Sequence, residues 1–254
     1  MTRLSYVLPI AVCAALVPAL ATGSPMPAGS VTVKPTKVAV GSHVRIAAGG
    51  TDAGFRKGQL PQSLAISFQQ GFALRPAAVR STCTEDTAMK DACPKDSVLG
   101  KGSIQVLLSG ARYTANITFF RAAKGVIFYF KEPESGFNGA STGTIRSGTD
   151  PYGQVLAFDK LPLPALPPGL DIRLDKLALD IGASGPQGRC TKYQGKGSRR
   201  RCVKRAKRKV FVTNPPQCSG SWGIQLRWGY KSGEELREGS APCAAAGQTP
   251  PPKR

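Results

Sequence analysis

The densest chemistry in this chain is cationic. Between Arg189 and Lys209 stand 11 Lys or Arg in 21 residues, and from Ile181 to Gly233 there is no Asp or Glu. Such a run has no counter-charge in its own neighbourhood, so it must be solvated or paired with anions from outside. Arg199, Arg200, Arg201, Lys204, Arg205, Lys207, Arg208 and Lys209 are the candidate anion-binding residues. Binding of this kind releases condensed counterions and weakens steeply as salt rises. The bland alternative is a basic loop that only keeps the chain soluble. Tyr193 alone interrupts the run, whereas base stacking uses several aromatics, so sequence-specific nucleic-acid recognition is not expected. The anions that remain are wall polymers, acidic polysaccharide, lipid headgroups and released nucleic acid, met without sequence preference.

Parts for catalysis are scarce. His43 is the single histidine and sits beside Val44 in a strand-like stretch, which favours a structural imidazole over a base or ligand. Gly139-Ala140-Ser141-Thr142-Gly143 matches a nucleophile elbow, yet that motif needs a strand before it, a helix after it and a histidine downstream. His43 lies upstream and turn residues follow, so a polar glycine loop is the better reading. Asp171, Asp175 and Asp180, or Glu234, Glu235 and Glu238, could in principle supply the paired carboxylates of a glycosidase-like hydrolase. Each cluster is more simply a solvated strand face or turn. A sugar-binding, adhesin-like sandwich using Trp222 or Trp228 is a further alternative, although strand periodicity turns both rings inward. No catalytic residue, metal site or cofactor is expected, and the function expected is non-catalytic binding or structural work.

The cysteines set the compartment. Arg3, the apolar run Val7–Val17 and Ala19-Leu20-Ala21 have the form of a secretory signal peptide over residues 1–21. The run is shorter than the roughly 20 residues a membrane-spanning helix uses, and Val12 before Cys13 disfavours lipidation. Removing this segment takes away Arg3 and Cys13, leaving 34 basic against 15 acidic side chains, a net charge of +19. It also leaves six cysteines: Cys83, Cys93, Cys190, Cys202, Cys218 and Cys243. An even count in an exported chain reads as a disulfide framework. Of the 15 pairings that six cysteines allow, the three sequence-adjacent couples close the shortest loops, so Cys83–Cys93, Cys190–Cys202 and Cys218–Cys243 are expected. Zinc is disfavoured because no closely spaced Cys or His pair exists. A free Cys202 among Arg200, Arg201, Lys204 and Arg205 would be an activated thiol, a reading its pairing removes.

The elements that position these groups follow a period of two. Trp222, Ile224, Leu226, Trp228 and Tyr230 alternate with small or polar residues. The same pattern holds for Leu64, Ile66 and Phe68, for Ile104, Val106 and Leu108, for Tyr113, Ala115, Ile117 and Phe119, and for Val126, Phe128 and Phe130. Val38, Val40, Val44 and Ile46 suggest an early strand pair around Gly41-Ser42. Turns fall at Ser109-Gly110, Lys124-Gly125 and Ser232-Gly233. One helix is expected over 84–92, with Thr82 and Glu85 at capping-box spacing and Pro94 as its stop. Leu170–Ile181 fits either a strand or one helix face, and the strand is preferred. The fold expected is therefore all-β, an antiparallel sandwich or barrel-like domain with one short helix and three local disulfides. Its bounds are 31–243, with the basic loop at 189–209, a flexible segment at 22–30 and a loose tail at 244–254.

Cys83, Cys93-Pro94-x-x-Ser97-Val98-x-Gly100-x-Gly102, Cys218-x3-Trp222, Tyr230, Gly233 and Cys243 together resemble a family of exported, disulfide-containing, β-rich proteins of high-GC Gram-positive (actinobacterial) soil bacteria. The likeness spans roughly residues 60–243. It implies export and a β-rich fold, and it carries over no catalytic or binding residue. The basic insertion around Cys190 and Cys202 is exaggerated relative to that family. Secretion to the exterior, with attachment to the cell envelope through surface charge, is the localisation expected.

Overall fold

The computed structural model describes residues 26–27, 29–49, 56, 58–163, 172–185, 190–194, 201–205 and 208–244. Sixteen strands, one short α-helix and two single 3-10 turns make up the regular structure of these residues. The centre of the molecule is a meander of consecutive antiparallel strands: β6 (Val98–Leu108), β7 (Ala111–Arg121), β8 (Val126–Lys131), β9 (Asn138–Ser147) and β10 (Tyr152–Phe158). Beyond β10 the sheet continues through β4 (Ser63–Gln69), β15 (Ser221–Tyr230) and β16 (Gly233–Pro242), with β1 (Met26–Pro27) parallel on that edge. Beyond β6 it continues through β11 (Ile172–Ile181) to β3 (Gly41–Gly49), which pairs with both β2 (Ser30–Lys34) and β14 (Val212–Thr213). The short β5 (Ala73–Leu74) completes this side against β14.

The fourteen-stranded sheet rolls until its two flanks meet, β16 lying beside β2 and Ala244 donating its backbone N–H to Thr36 at 3.0 Å. Rolling leaves one inner face and one principal core, filled by Trp222, Trp228, Phe68, Phe119, Phe158 and their aliphatic neighbours. The alternation read from β15 is borne out, since Trp222, Ile224, Leu226, Trp228 and Tyr230 are all buried. Edge-to-face contacts such as Phe119–Phe128 at 5.7 Å between centroids add directional packing to this apolar fill.

Local chemistry explains where strands turn. The β6–β7 hairpin closes on two residues, Ser109 and Gly110, both at positive φ (49° and 85°). That is the backbone of a mirror-image turn whose twist matches the strands it joins. The ambiguity at 170–181 resolves as strand β11, with a cause. Leu174 pairs with Val106 and Lys176 with Gln105, so Asp175 is an extra, bulged residue. The bulge moves the inward positions from Ile172 and Leu174 to Leu177, Leu179 and Ile181. One step of three inside a period of two imitates a helical stripe.

Three expectations are corrected. Val38 and Val40 form no strand; β3 pairs instead with β2, and the 35–40 loop gives its backbone groups to residues 214–215. Asn214 donates its side-chain amide to Pro35 O and Lys37 O at 2.8 Å each, its backbone N–H goes to Val40 O at 2.9 Å, and Ala39 N–H reaches Pro215 O at 3.0 Å. Helix α1 spans Glu85–Met89 and is capped by Thr84, not Thr82. Cys83 N–H still bonds Arg121 O at 2.7 Å, which holds the chain against β7 until Thr84, whose hydroxyl then receives Thr87 N–H at 3.2 Å. Backbone pairing also begins ahead of residue 31, at Met26–Pro27 and Ser30, within the segment expected to be flexible.

The three expected disulfides form, with Cα–Cα separations of 5.4 Å (Cys83–Cys93), 5.7 Å (Cys190–Cys202) and 5.8 Å (Cys218–Cys243). The first brackets α1, which covers a second, smaller cluster on the outer face of β7 and β8, comprising Cys83, Ala88, Phe120, Ala122, Ile127 and Tyr129. Sequence alternation read only the inner face of β8, and its outer face is buried as well.

Candidate functional site

The basic segment is built as an excursion from the sheet. After β11 the chain is pinned by Phe211 N–H to Ala183 O and Gly185 N–H to Lys209 O, both at 2.8 Å, with Ser184 bridging Val210. From this root rises a two-stranded hairpin, β12 (Cys190–Gln194) with β13 (Arg201–Arg205), bridged by Cys190–Cys202. Phe211 and Val212 are fully buried just after it and anchor its return strand in the core.

Of the eight predicted anion-binding residues, Arg201, Arg208 and Lys209 are exposed at the hairpin or its root. Lys204 and Arg205 are placed on β13 by backbone pairing with Lys192 and Cys190. Arg199, Arg200 and Lys207 lie outside the described residues. The root also gathers basic residues that are remote in sequence. Arg75 gives its backbone N–H to Phe211 O at 2.7 Å, and the 76–79 turn lies against Gly185, so Arg75 and Arg80 are exposed residues flanking the root. Among the described residues, Arg75, Arg80, Arg201, Arg208 and Lys209 take part in no ion pair. Tyr193 and Val203 are the large apolar side chains exposed on the hairpin (49% and 46%). Periodicity had no means of finding Arg75 and Arg80, because the β5–β14 pairing that brings them here is a contact across more than 130 residues.

The remaining candidates are engaged elsewhere. His43 is an exposed residue of β3 whose Nδ1 lies 2.9 Å from Asp180 Oδ1, while Arg45 Nε donates to Asp180 Oδ2 at 2.7 Å. Partial burial works against the charged form of Asp180, but these two partners outweigh it and hold its pKa below the ordinary aspartate value. Asp175 faces Arg112 at 3.7 Å, and Asp171 lies outside the described residues. Glu235 binds Arg56 and Arg237, with Arg56 also stacked 5.3 Å above the Tyr230 ring, whose hydroxyl is pushed up to about 12 by burial. Gly139–Gly143 is neither elbow nor loop but the body of β9. Its glycines admit close neighbours: a Cβ on Gly143 would strike the Phe158 ring, and one on Gly139 would lie 2.6 Å from Pro162 O. The two tryptophans are core, 0% and 2% exposed, which removes them as a sugar platform.

A second feature was not visible in the sequence. On the outer face of β15, β4, β10 and β9 runs a polar trough of about 350 Å³. Its floor is made of Ser63, Ala65 and Ser67 of β4 with Val155 and Ala157 of β10, and longer polar side chains rise around it. At one end Tyr152 donates its hydroxyl to Glu238 Oε1 at 2.9 Å, and Gln225 Nε2 reaches the same oxygen at 2.9 Å. Tyr152 faces outward because the register with β4 slips at Gly153, an extra residue that turns the ring to the side of Gln69. Burial and the adjacent Glu238 raise the Tyr152 pKa.

Among the described residues no group of three His, Cys, Asp or Glu gathers as metal ligands, and no helix is long and apolar enough to cross a membrane. No family model, curated protein or solved structure matches the chain.

Proposed function

We propose that this protein is an exported, non-catalytic binding or structural module, secreted or held at the cell envelope, whose basic hairpin and its root attract anionic polymers. The observation that carries the reading is that Arg75, Arg80, Arg201, Arg208 and Lys209, spread over the hairpin, its root and the turn packed on that root, are exposed and have no carboxylate partner among the described residues. Unpaired cations held on a stapled projection are organised to meet external anions at little cost in ordering. The three disulfides accord with a non-cytoplasmic, oxidising compartment. The non-catalytic reading is supported by the engagement of His43 and of the described members of both carboxylate clusters in structural pairs.

The test is fractionation of expressing cells followed by a salt wash. Electrostatic attachment predicts retention in the envelope fraction at low salt and release towards about 1 M, where the screening length falls to about 3 Å. Replacing all eight basic residues from Arg199 to Lys209 with Ser should abolish retention. Unchanged retention of that variant would end the proposal.

A further inference from the structure

The trough on the outer face shares no lining residue with the basic hairpin. Ser67 is 6% exposed and Gln225 8% exposed, yet both face the trough rather than the core. Ser67 Oγ has no hydrogen-bond partner among the described residues, and Gln225 spends its amide N–H on Glu238 while its Oε1 accepts nothing. Neither oxygen is sealed from solvent, so both are open to the trough and available to hydrogen-bond a ligand lying in it. On the rim Arg227 meets Glu234 only loosely, at 3.6 Å, and Arg146 meets Asp159 through a single nitrogen, leaving guanidinium donors available on both sides.

The occupant's chemistry follows from charge and shape. Arg146 with Asp159 and Arg227 with Glu234 neutralise one another, so this strip is close to neutral on a chain of net charge +20. A polyanion is thus drawn elsewhere on the molecule. The floor carries hydroxyls and small apolar groups, with Val155 its largest outward apolar side chain and the rings of the core turned away, which gives a greasy ligand little to bury against. Ser63 to Ser67 spans about 13 Å at the rise of a strand, and about 350 Å³ lies within the range of small-ligand sites. Closely spaced donors and acceptors, a Tyr152 ring at one end and no net charge match a ligand dense in hydroxyls. We propose that the trough binds an uncharged oligosaccharide of two to four residues, seated on Ala65 and Ser67 and hydrogen-bonded by Ser67, Gln225 and Arg227.

The protein is titrated by calorimetry against uncharged tetrasaccharides of glucose, of galactose and of N-acetylglucosamine. The expected result is saturable binding of at least one, insensitive to salt. It should weaken at least about tenfold in Ala65→Phe, which fills the trough from its central strand, and in Arg227→Gln on the exposed rim, which leaves the floor intact should the first variant fail to fold. Replacing Arg201, Arg208 and Lys209 with Ser should leave it unchanged, which separates this site from the hairpin. Absence of binding to all three sugars at about 10 mM, or binding undiminished in both folded variants, would overturn the assignment.

Discussion

At the scale of single residues, the chain invests its few acids in fastening elements together. Asp91 shows the pattern: Tyr129 donates its hydroxyl to it at 2.6 Å and Lys131 its ammonium at 2.5 Å, so the turn after α1 is tied to β8. The Lys131 and Tyr129 hydrogen bonds hold the Asp91 pKa below its ordinary value. A depressed carboxylate contributes stability that is complete above the unfolded-state pKa, about 3.9, and is lost as pH falls through the lower folded-state value. Asp91→Asn should therefore lower the melting temperature at pH 7, and the difference from the parent should shrink as pH falls through the lowered folded-state value. Thermal unfolding across pH 2–7 checks this, and a difference that persists undiminished at pH 2 would assign the loss to geometry instead of charge. At this scale the sequence was legible where residue type dictates environment. Trp222 and Trp228 read as core and are core, and the cysteines, read as short-range pairs, are so paired. It was illegible where partners come from afar: His43 reads as a strand imidazole, and its contact with Asp180 exists only because β3 lies beside β11.

At the scale of elements, period-two alternation located the long strands because one face of each is buried and the other solvated. It failed in three physically distinct ways. The bulge at Asp175 inserted a step of three and gave β11 a helical look. Strand β8 is apolar on both faces, because α1 covers Ile127 and Tyr129 from outside. Gly139–Gly143 looked like a loop since its glycines are needed for packing against Phe158 and Pro162, which composition alone does not distinguish from turn chemistry. Helix α1 has only five residues, too few to persist alone, so its cap and the Cys83–Cys93 bridge must hold it. Replacing both cysteines with Ser should cost about 2–4 kcal/mol in denaturant unfolding. Amide exchange should quicken across 84–92 while β15 stays protected to the global limit. Equal acceleration in both places would show that the bridge supports the whole sheet and not this corner of it.

At the scale of the whole molecule, the rolled sheet separates two surfaces of different chemistry. One end carries the hairpin root with Arg75 and Arg80 beside Arg208 and Lys209, and the face across β15, β4, β10 and β9 carries a nearly neutral trough. The first was half legible, since Arg201, Arg208 and Lys209 stand in one basic run of the chain. The second was not, because its floor and rim come from five strands whose order in space, β16-β15-β4-β10-β9, departs from their order in sequence. A common frame held by three cross-links lets both surfaces keep their shape outside a reducing compartment.

The central claim, that the cationic end exists to meet polyanions, is tested most directly by the salt dependence of binding to long-chain polyphosphate, measured from about 50 to 500 mM NaCl. For the parent protein the logarithm of affinity should fall linearly and steeply with the logarithm of salt, each phosphate contact contributing a slope of about 0.7–0.9 by analogy with nucleic acids. Neutralising Arg199, Arg200, Arg201, Lys204, Arg205, Lys207, Arg208 and Lys209 to Ser should remove most of that slope, and adding Arg75→Ser and Arg80→Ser should flatten it by about one to two more. A variant lacking all ten charges that binds with the parent's affinity and slope would contradict the account.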